Sequence, residues 1–157
     1  MHDKRFSVSN ATAADAAQIL ALQKLAYERE AKLYEDWNIP PMTETLDVLV
    51  AAIQNETVIK AMDGNDIIGS VRATCTDNIC RIGRLMVHPT HQGRGIGTAL
   101  LQVIERRFPT AESFELFTGN RSEANIRLYV RAGYVVTGAR RVSDRVTLVD
   151  MTKRAEK

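Results

Sequence analysis

The stretch that decides the fold reads Arg-Leu-Met-Val-His-Pro-Thr-His-Gln-Gly-Arg-Gly-Ile-Gly-Thr, residues 84–98. It begins as an apolar strand, passes through a loop with three glycines at alternate positions, and enters an amphipathic helix predicted from Gly95 to Phe108. Glycines allow a ligand to approach the backbone closely. Amides at a helix N-terminus have no internal partner and carry the positive end of the helix dipole, so a phosphate or pyrophosphate fits there. Arg94 adds a full positive charge.

Two other glycine loops fit this stretch poorly. A P-loop requires Gly-Lys-Ser/Thr, whereas this chain has Gly97-Thr98-Ala99 without a lysine. A Rossmann fingerprint requires Gly-x-Gly-x-x-Gly, and the glycines here simply alternate. A third alternative is structural, namely a tight turn that only packs a helix on a sheet.

Periodicity on either side of this stretch predicts one domain over residues 1–157. The strand–helix–strand passage from Ile79 to Thr118 predicts a parallel pair, because crossover connections join parallel strands, and the hairpins predict antiparallel ones. The predicted class is α/β (α+β), with a mixed, mostly antiparallel sheet of six to seven strands and about four helices. Ile67, Val71 and Cys75 are predicted to share one face of their strand. The predicted strands are 6–10, 57–62, 66–76, 79–87, 113–118, 134–141 and 146–152, and the predicted helices are 13–33, 45–54, 95–108 and 122–132.

Composition restricts the possible partners. The chain has 157 residues, with 21 basic against 19 acidic side chains, and this near balance argues against nucleic acid as a partner. Cys75 and Cys80 have no zinc-ligand spacing around them, so they are predicted to be free, buried thiols, with no metal. Residues 1–6 lack the apolar core of a signal peptide and no run is long enough to span a membrane, which predicts a cytoplasmic protein without membrane contact.

The segment from Gln92 to Gly97 resembles the Gln/Arg-x-x-Gly-x-Gly/Ala signature of the GNAT superfamily of N-acetyltransferases. The similarity runs from about Ile67 to Lys153. It implies acetyl-CoA as cosubstrate, with the backbone of Leu85, Met86 and Val87 pairing with the pantetheine arm like an added strand. By the same resemblance, the pyrophosphate would be held by the amides of Gln92, Gly93, Arg94, Gly95, Ile96, Gly97 and Thr98.

Residues 122–134 resemble a second signature of the superfamily, a helix that ends in Leu-Tyr-x-x-x-Gly-Phe/Tyr. Asn125 and Tyr129 are four residues apart and share a helix face. The resemblance implies that Asn125 bonds the pantetheine and that Tyr129 lies near the sulfur as general acid. Transfer from a tyrosine of pKa about 10 to a thiolate of pKa about 8.5 is uphill by roughly 2 kcal/mol, which a modest pKa shift or a simple hydrogen bond would accommodate. Ser122 is interpreted as a helix cap.

The general base and the acceptor are less well specified. Many relatives carry a glutamate on the strand before the glycine loop, where this chain has Arg81 and Arg84. A water chain, His88 or an acid from the N-terminal helices are the alternatives. We expect an acidic, aromatic rim to attract a cationic amine, and a solvated helix face is the competing interpretation. The rim comprises Glu28, Glu30, Tyr34 and Glu35, with Asp36 and Trp37 beside them.

Together these features predict direct acetyl transfer from acetyl-CoA to a primary amine within a ternary complex. The acceptor would be a small-molecule or peptide amine, and a homodimer is the assembly that similar proteins often adopt. The alternative from another class is a non-catalytic acyl-CoA-binding or regulatory module. A third possibility keeps the fold with a longer acyl chain or a hydroxyl acceptor.

Overall fold

The computed structural model describes residues 6–156. Residues 1–5 and residue 157 lie outside this range. The prediction that the chain has no signal peptide rests mainly on residues 1–6, so most of it falls outside the described residues. The helices are α1 Ala16–Tyr34, α2 Pro40–Thr43, α3 Leu46–Asn55, α4 Ile96–Arg106 and α5 Glu123–Arg131. The strands are β1 Ser7–Asn10, β2 Thr57–Asp63, β3 Asp66–Thr76, β4 Ile79–Val87, β5 Ser113–Gly119, β6 Val135–Arg141 and β7 Thr147–Arg154.

The seven described strands form one sheet in the order β1-β2-β3-β4-β5-β7-β6. Neighbouring strands are antiparallel except β4 and β5, which are parallel and joined through α4. The predicted fold class, the mixed sheet and the position of its parallel pair are therefore confirmed. The bounds of β3 and β4 also agree with the prediction, because the tight turns at Gly64 and at Asp77-Asn78 delimit both strands.

The prediction missed the short helix α2. Pro40 and Pro41 lie between the predicted helices 13–33 and 45–54, and they occupy the first turn of α2. Proline is tolerated there because its missing N–H would have had no partner inside the helix. A capping box precedes the first helix, since the Asp15 carboxylate accepts from the Thr12 amide at 2.8 Å.

Two buried clusters hold helices on both faces of the sheet. The larger cluster joins α4 and α5 to one face, and the smaller joins α1 and α3 to the other. Ile67 belongs to the smaller cluster, whereas Val71 and Ala73 belong to the larger one. The predicted shared face is thus wrong for Ile67, because the β2–β3 register shifts next to it, between Ala61 and Met62.

The two cysteines lie directly opposite each other on β3 and β4, and both are free. Cys80 is buried, as predicted, whereas Cys75 is exposed. The prediction fails for Cys75 because it lies near the tip of the β3–β4 hairpin, where Thr74 and Thr76 are exposed too. None of the helices in residues 6–156 combines the length and apolarity that a membrane span requires.

Candidate active site

The candidate site lies where β4 and β5 separate. The two strands pair only over Ile79–Arg81 and Ser113–Glu115, so the sheet opens beyond these residues. A β-bulge at Arg84 bends β4 at this point, since Ser70 pairs with Met86 while Arg72 pairs with Gly83. A cavity of about 520 Å³ occupies the opening, lined by the end of β4, by α1 and by the start of α5.

The glycine loop follows the β4 side of this opening. Gly93 and Gly95 have φ of 81° and 79°, the left-handed region that favours glycine. A Cβ atom at either position would meet nothing within 4 Å, so the backbone there faces open space. Gly95 is the N-cap of α4, which leaves the first-turn amides without partners inside the helix. Gly97 has a different role, because a Cβ there would lie 3.3 Å from Leu128 of α5.

Side chains fasten the loop to the rest of the protein. Gln92 Nε2 donates to the Val87 carbonyl at 3.3 Å, which ties the loop to the end of β4. Arg94 donates to the Asp63 carboxylate at 3.2 Å and contacts His91 Nδ1 at 2.6 Å. Part of the Arg94 charge is therefore balanced by Asp63 within the protein. His88 Nδ1 accepts from the Thr90 amide at 3.1 Å, so that nitrogen serves as a turn cap.

Helix α5 carries both predicted residues. Asn125 lines the cavity and donates to Thr118 Oγ1 at 3.3 Å, whereas Tyr129 is not among the described residues that line it. Tyr129 is only 7% exposed and packs against Tyr134, with ring centroids 6.1 Å apart. Burial raises the pKa of Tyr129 well above its ordinary value, and the neighbouring Tyr27 and Glu30 raise it further. Tyr129 thus stays protonated at neutral pH and lies within electrostatic reach of two residues that line the cavity.

Helix α1 forms the side of the opening that faces β4. Tyr27 and Glu30 line the cavity, together with the start of α5. The Tyr27 hydroxyl donates to the Leu85 carbonyl at 3.4 Å, which links α1 to the bulge in β4. Burial raises the pKa of Tyr27 to about 12, although the nearby Arg84 guanidinium opposes the rise.

A chain of hydrogen bonds joins the end of α1 to the β5–α5 connection. The Ser122 hydroxyl donates to Glu30 Oε2 at 2.5 Å and lies 2.8 Å from the Tyr34 hydroxyl. The Tyr34 hydroxyl in turn accepts from the Arg121 amide at 2.9 Å. Ser122 occupies the N-cap position of α5, as predicted, but its side chain makes no cap bond and donates to Glu30 instead. The chain was not predicted, because Glu30 and Ser122 are 92 positions apart and no local pattern relates them.

The rest of the predicted acceptor rim is dispersed. Glu28 is partly buried on α1 but does not line the cavity. Glu35 is exposed at the end of α1, and its carbonyl accepts from Arg145 in the β6–β7 turn. The Asp36 carboxylate caps a local turn by accepting from the Asn38 amide at 2.9 Å. Of the four acids in the proposed rim, Glu30 alone lies among the described residues that line the cavity.

An ion-pair cluster surrounds Arg84, one of the two arginines on β4. Arg84, at φ 52°, pairs with Glu44 at 3.5 Å, and Arg72 binds the same carboxylate through two nitrogens at 3.1 and 2.6 Å. Burial raises the pKa of Glu44, but the bonds and charges of Arg72, Gln23 and Arg84 outweigh it and hold that pKa below its ordinary value. The Glu44 carboxylate is therefore ionised and committed to the two arginines.

A family model described as the acetyltransferase (GNAT) domain matches residues 24–155, which is most of the chain. This chain is a member of the GNAT acetyltransferase family. The match includes α1 from Lys24 onward, the glycine loop and α5, and so covers every described residue that lines the cavity of this GNAT domain.

The GNAT domain is also similar to individual proteins. It is 30% identical over 119 residues to the UPF0157 protein YqkA of Bacillus subtilis (strain 168), a match that covers 76% of this chain but 34% of that protein. The chain thus spans about a third of the length of this curated relative.

Solved structures share the fold. The paia N-acetyltransferase of Thermoplasma acidophilum, in complex with coenzyme A, superposes with a TM-score of 0.81 at 14% identity, over 96% of this chain and 99% of that one. The ribosomal-protein-S18-alanine N-acetyltransferase of Escherichia coli gives 0.78 at 15% identity, over 95% and 93%. The yncA protein of Salmonella typhimurium, with acetyl-CoA, gives 0.76 at 20% identity, over 98% and 96%.

Proposed function

We propose that this protein is an N-acetyltransferase that moves the acetyl group of acetyl-CoA directly to a primary amine within a ternary complex. The observation that carries the proposal is the opening between β4 and β5, where one cavity is bordered by an exposed strand end, an open glycine loop, the Tyr129 helix and the Glu30 carboxylate. Family membership and the coenzyme A and acetyl-CoA complexes of similar structures support it.

The residues present fit acetyl-CoA. Gly93 and Gly95 leave open space in front of their backbone, so the amides from Gln92 to Thr98 can be approached by a diphosphate. Leu85, Met86 and Val87 line the cavity at the point where β4 has lost its parallel neighbour, so this edge of the strand is open to an extended pantetheine arm. Tyr27 and Gln92 already donate to the Leu85 and Val87 carbonyls, so the arm would share or displace these two contacts. Asn125 lies across the cavity from them and offers a side-chain amide.

Tyr129 acts on the leaving sulfur. Its raised pKa makes it a weaker acid than a free tyrosine, so a complete transfer of its proton to a thiolate costs more than the roughly 2 kcal/mol that reference values give. The favourable arrangement is a hydroxyl that donates to the sulfur while it receives a proton from the attacking nitrogen. No free phenolate then forms, and the raised pKa keeps the hydroxyl protonated between turnovers.

The direct test combines binding with turnover. Calorimetry should detect acetyl-CoA binding, and a thiol assay with a panel of small-molecule and peptide amines should detect coenzyme A release. Tyr129→Phe should lower kcat roughly 100-fold, the scale of general acid catalysis, with acetyl-CoA affinity retained.

The matched control is Tyr134→Phe. Tyr134 is also buried and packs on Tyr129, but its hydroxyl donates to Glu105 at 2.8 Å, so its loss should affect stability rather than chemistry. Equal turnover by wild type and Tyr129→Phe would remove Tyr129 from the mechanism. Binding of acetyl-CoA without acetylation of any amine would favour the non-catalytic module.

A further inference from the structure

The acceptor imposes a chemical requirement that the strand before the glycine loop does not meet. An alkyl amine of pKa about 10.4 is neutral about once in 2500 molecules at pH 7, a handicap of roughly 4.6 kcal/mol. A nearby carboxylate can remove the ammonium proton inside the site. Strand β4 has no carboxylate that could serve, since it carries Arg81 and Arg84. Glu44, which pairs with Arg84, is itself committed to two arginines, Arg72 and Arg84.

Resting on the proposed function, we propose that Glu30 is the catalytic base and that Ser122 and Tyr34 are positioning residues that aim its carboxylate. The described residues that line the cavity include two acids, Glu30 and Glu123. The Glu123 side chain is 83% exposed at the outer end of α5 and lies 4.0 Å from Arg127. Glu30 is partly buried and close enough to Tyr129 to raise the pKa of that hydroxyl.

The directions of the hydrogen bonds support this assignment. The single proton of the Ser122 hydroxyl points to Glu30, so in the Ser122–Tyr34 contact the Tyr34 hydroxyl must be the donor. Tyr34 itself accepts from the Arg121 amide. The chain therefore runs in one direction, from main-chain N–H through two hydroxyls to a carboxylate acceptor. Such a chain fixes one oxygen of Glu30 and leaves the other available to an incoming ammonium group.

The structure around Tyr34 reinforces the chain. Tyr34 is 5% exposed, and a Cβ at Gly119 would lie 1.9 Å from its hydroxyl, so a glycine at 119 is required for Tyr34 to occupy this position. The Arg121 guanidinium also donates to the Leu33 carbonyl at 3.1 Å, which closes the end of α1 onto the β5–α5 connection.

The transfer step balances as follows. Glu30 takes one proton from the ammonium and releases it to water at the cavity mouth. The neutral nitrogen attacks the thioester carbon, and the C–N bond forms. The C–S bond then breaks, and the surplus nitrogen proton reaches the sulfur through the Tyr129 hydroxyl. The products are the amide and the free thiol, with one proton released to solvent.

Other ionisable groups surround Glu30. From α1 these are Tyr27, Arg29, Lys32 and Tyr34, and from α5 and its N-terminal connection they are Arg121, Glu123, Arg127 and Tyr129. The end of β4 contributes only apolar side chains. Tyr27 and Tyr129 have raised pKa values and stay neutral near pH 7, so neither hydroxyl adds a charge change to a pH profile between 7 and 10.

Glu30→Gln tests the base. With an alkyl amine at pH 7 we expect the kcat/KM of the variant to be about 100-fold below that of wild type. This ratio should shrink about tenfold per pH unit, because the neutral amine that the variant can use becomes tenfold more abundant. With an aromatic amine, which is already neutral at pH 7, the loss should be small. Glu28→Gln, two residues away on the same helix and outside the cavity lining, is the matched control and should resemble wild type.

Ser122→Ala and Tyr34→Phe test the positioning. Each should lower kcat about tenfold without changing the KM for acetyl-CoA. In the Glu30→Gln background neither substitution should lower kcat further, because the effects of residues in one network are not additive. Ser122→Thr, which keeps the hydroxyl, should restore the rate. Ser70→Ala removes another buried hydroxyl, which donates to the Ile59 carbonyl, and controls for loss of packing.

The outcomes separate the two proposals. Wild-type protein that binds acetyl-CoA but acetylates no amine overturns the proposed function. Active wild type with an equally active Glu30→Gln variant, or with a deficit that is the same for alkyl and aromatic amines at every pH, overturns Glu30 as the base and leaves the proposed function intact. Additive losses in the double variants overturn the positioning role.

Discussion

On the β4 side of the opening the chain presents main-chain groups, and on the α1 side it presents side chains. The β4 side consists of Leu85–Val87, which line the cavity, and the adjoining glycine loop, where the backbone at Gly93 and Gly95 faces open space. The α1 side consists of Glu30, Tyr34 and Ser122, whose contact joins two segments far apart in sequence, α1 and the β5–α5 connection. Main-chain groups suit the invariant part of a cosubstrate, whereas side chains can be changed to suit the acceptor without altering the backbone.

The largest expected effect concerns Glu44, whose ion pairs hold Arg72 of β3 and Arg84 of β4. Glu44→Gln removes the carboxylate that pairs with Arg72 and Arg84, whose side chains are 14% and 19% exposed. Because two largely buried cations lose their counter-charge, we expect the free energy of unfolding to fall by about 3 kcal/mol, measured by urea denaturation. Glu115→Gln, which breaks an exposed pair with Arg81 at 3.8 Å, should cost about 1 kcal/mol or less.

The pH dependence of stability provides a check on this cluster. The pKa of Glu44 is lowered by folding, so its contribution is present above the unfolded pKa of about 4.3 and is lost as the pH falls through the folded value. Wild type should therefore lose stability below about pH 4.3 more steeply than Glu44→Gln. Parallel curves for the two proteins would contradict the assignment.

The second effect concerns the glycine loop itself. Gly95→Val places a β-branched residue at φ 79° and fills the open space in front of the first-turn amides of α4. We expect the Kd of coenzyme A, measured by calorimetry, to rise about 100-fold, or roughly 2.7 kcal/mol.

Gly64→Val is the matched control for the glycine loop. Gly64 has φ 61° in the β2–β3 turn, so the backbone strain is similar, but it does not precede a helix with unpartnered first-turn amides, as Gly95 does. Equal affinity losses in both variants would show that strain, rather than access to the amides, is responsible.

The smallest effect concerns the α1 side. Gly119→Ala forces a methyl group against the buried Tyr34 ring. Such overpacking should lower the free energy of unfolding by roughly 2 kcal/mol, measured by thermal unfolding. The displaced Tyr34 should also lower the rate of acetyl transfer, measured by coenzyme A release. Gly138→Ala, where the nearest atom would be the Asp150 carboxylate at 3.7 Å, should leave both unchanged. A Gly119→Ala protein with intact activity would show that the Tyr34 position is not needed for transfer.

Local pattern was sufficient for much of the fold. Strands β3 and β4, the glycine loop at the start of α4 and the parallel β4–β5 pair were all predicted, because alternation, turn residues and crossover geometry are properties of short segments. The errors arose where neighbouring segments override local pattern. The register shift beside Ile67 moved its side chain to the other face, and α2, whose first turn contains Pro40 and Pro41, was not predicted.

By itself the sequence determined where an open glycine loop leads into a helix N-terminus, because consecutive residues carry that property through positive φ and unpartnered first-turn amides. Only the tertiary structure decided which acid of the predicted rim lines the cavity. Glu30 and Ser122 meet across 92 positions, and Arg84 is neutralised by Glu44 across 40. Such contacts depend on how α1 and α2 pack over the separated strands, and the packing of distant segments leaves no periodic trace in the chain.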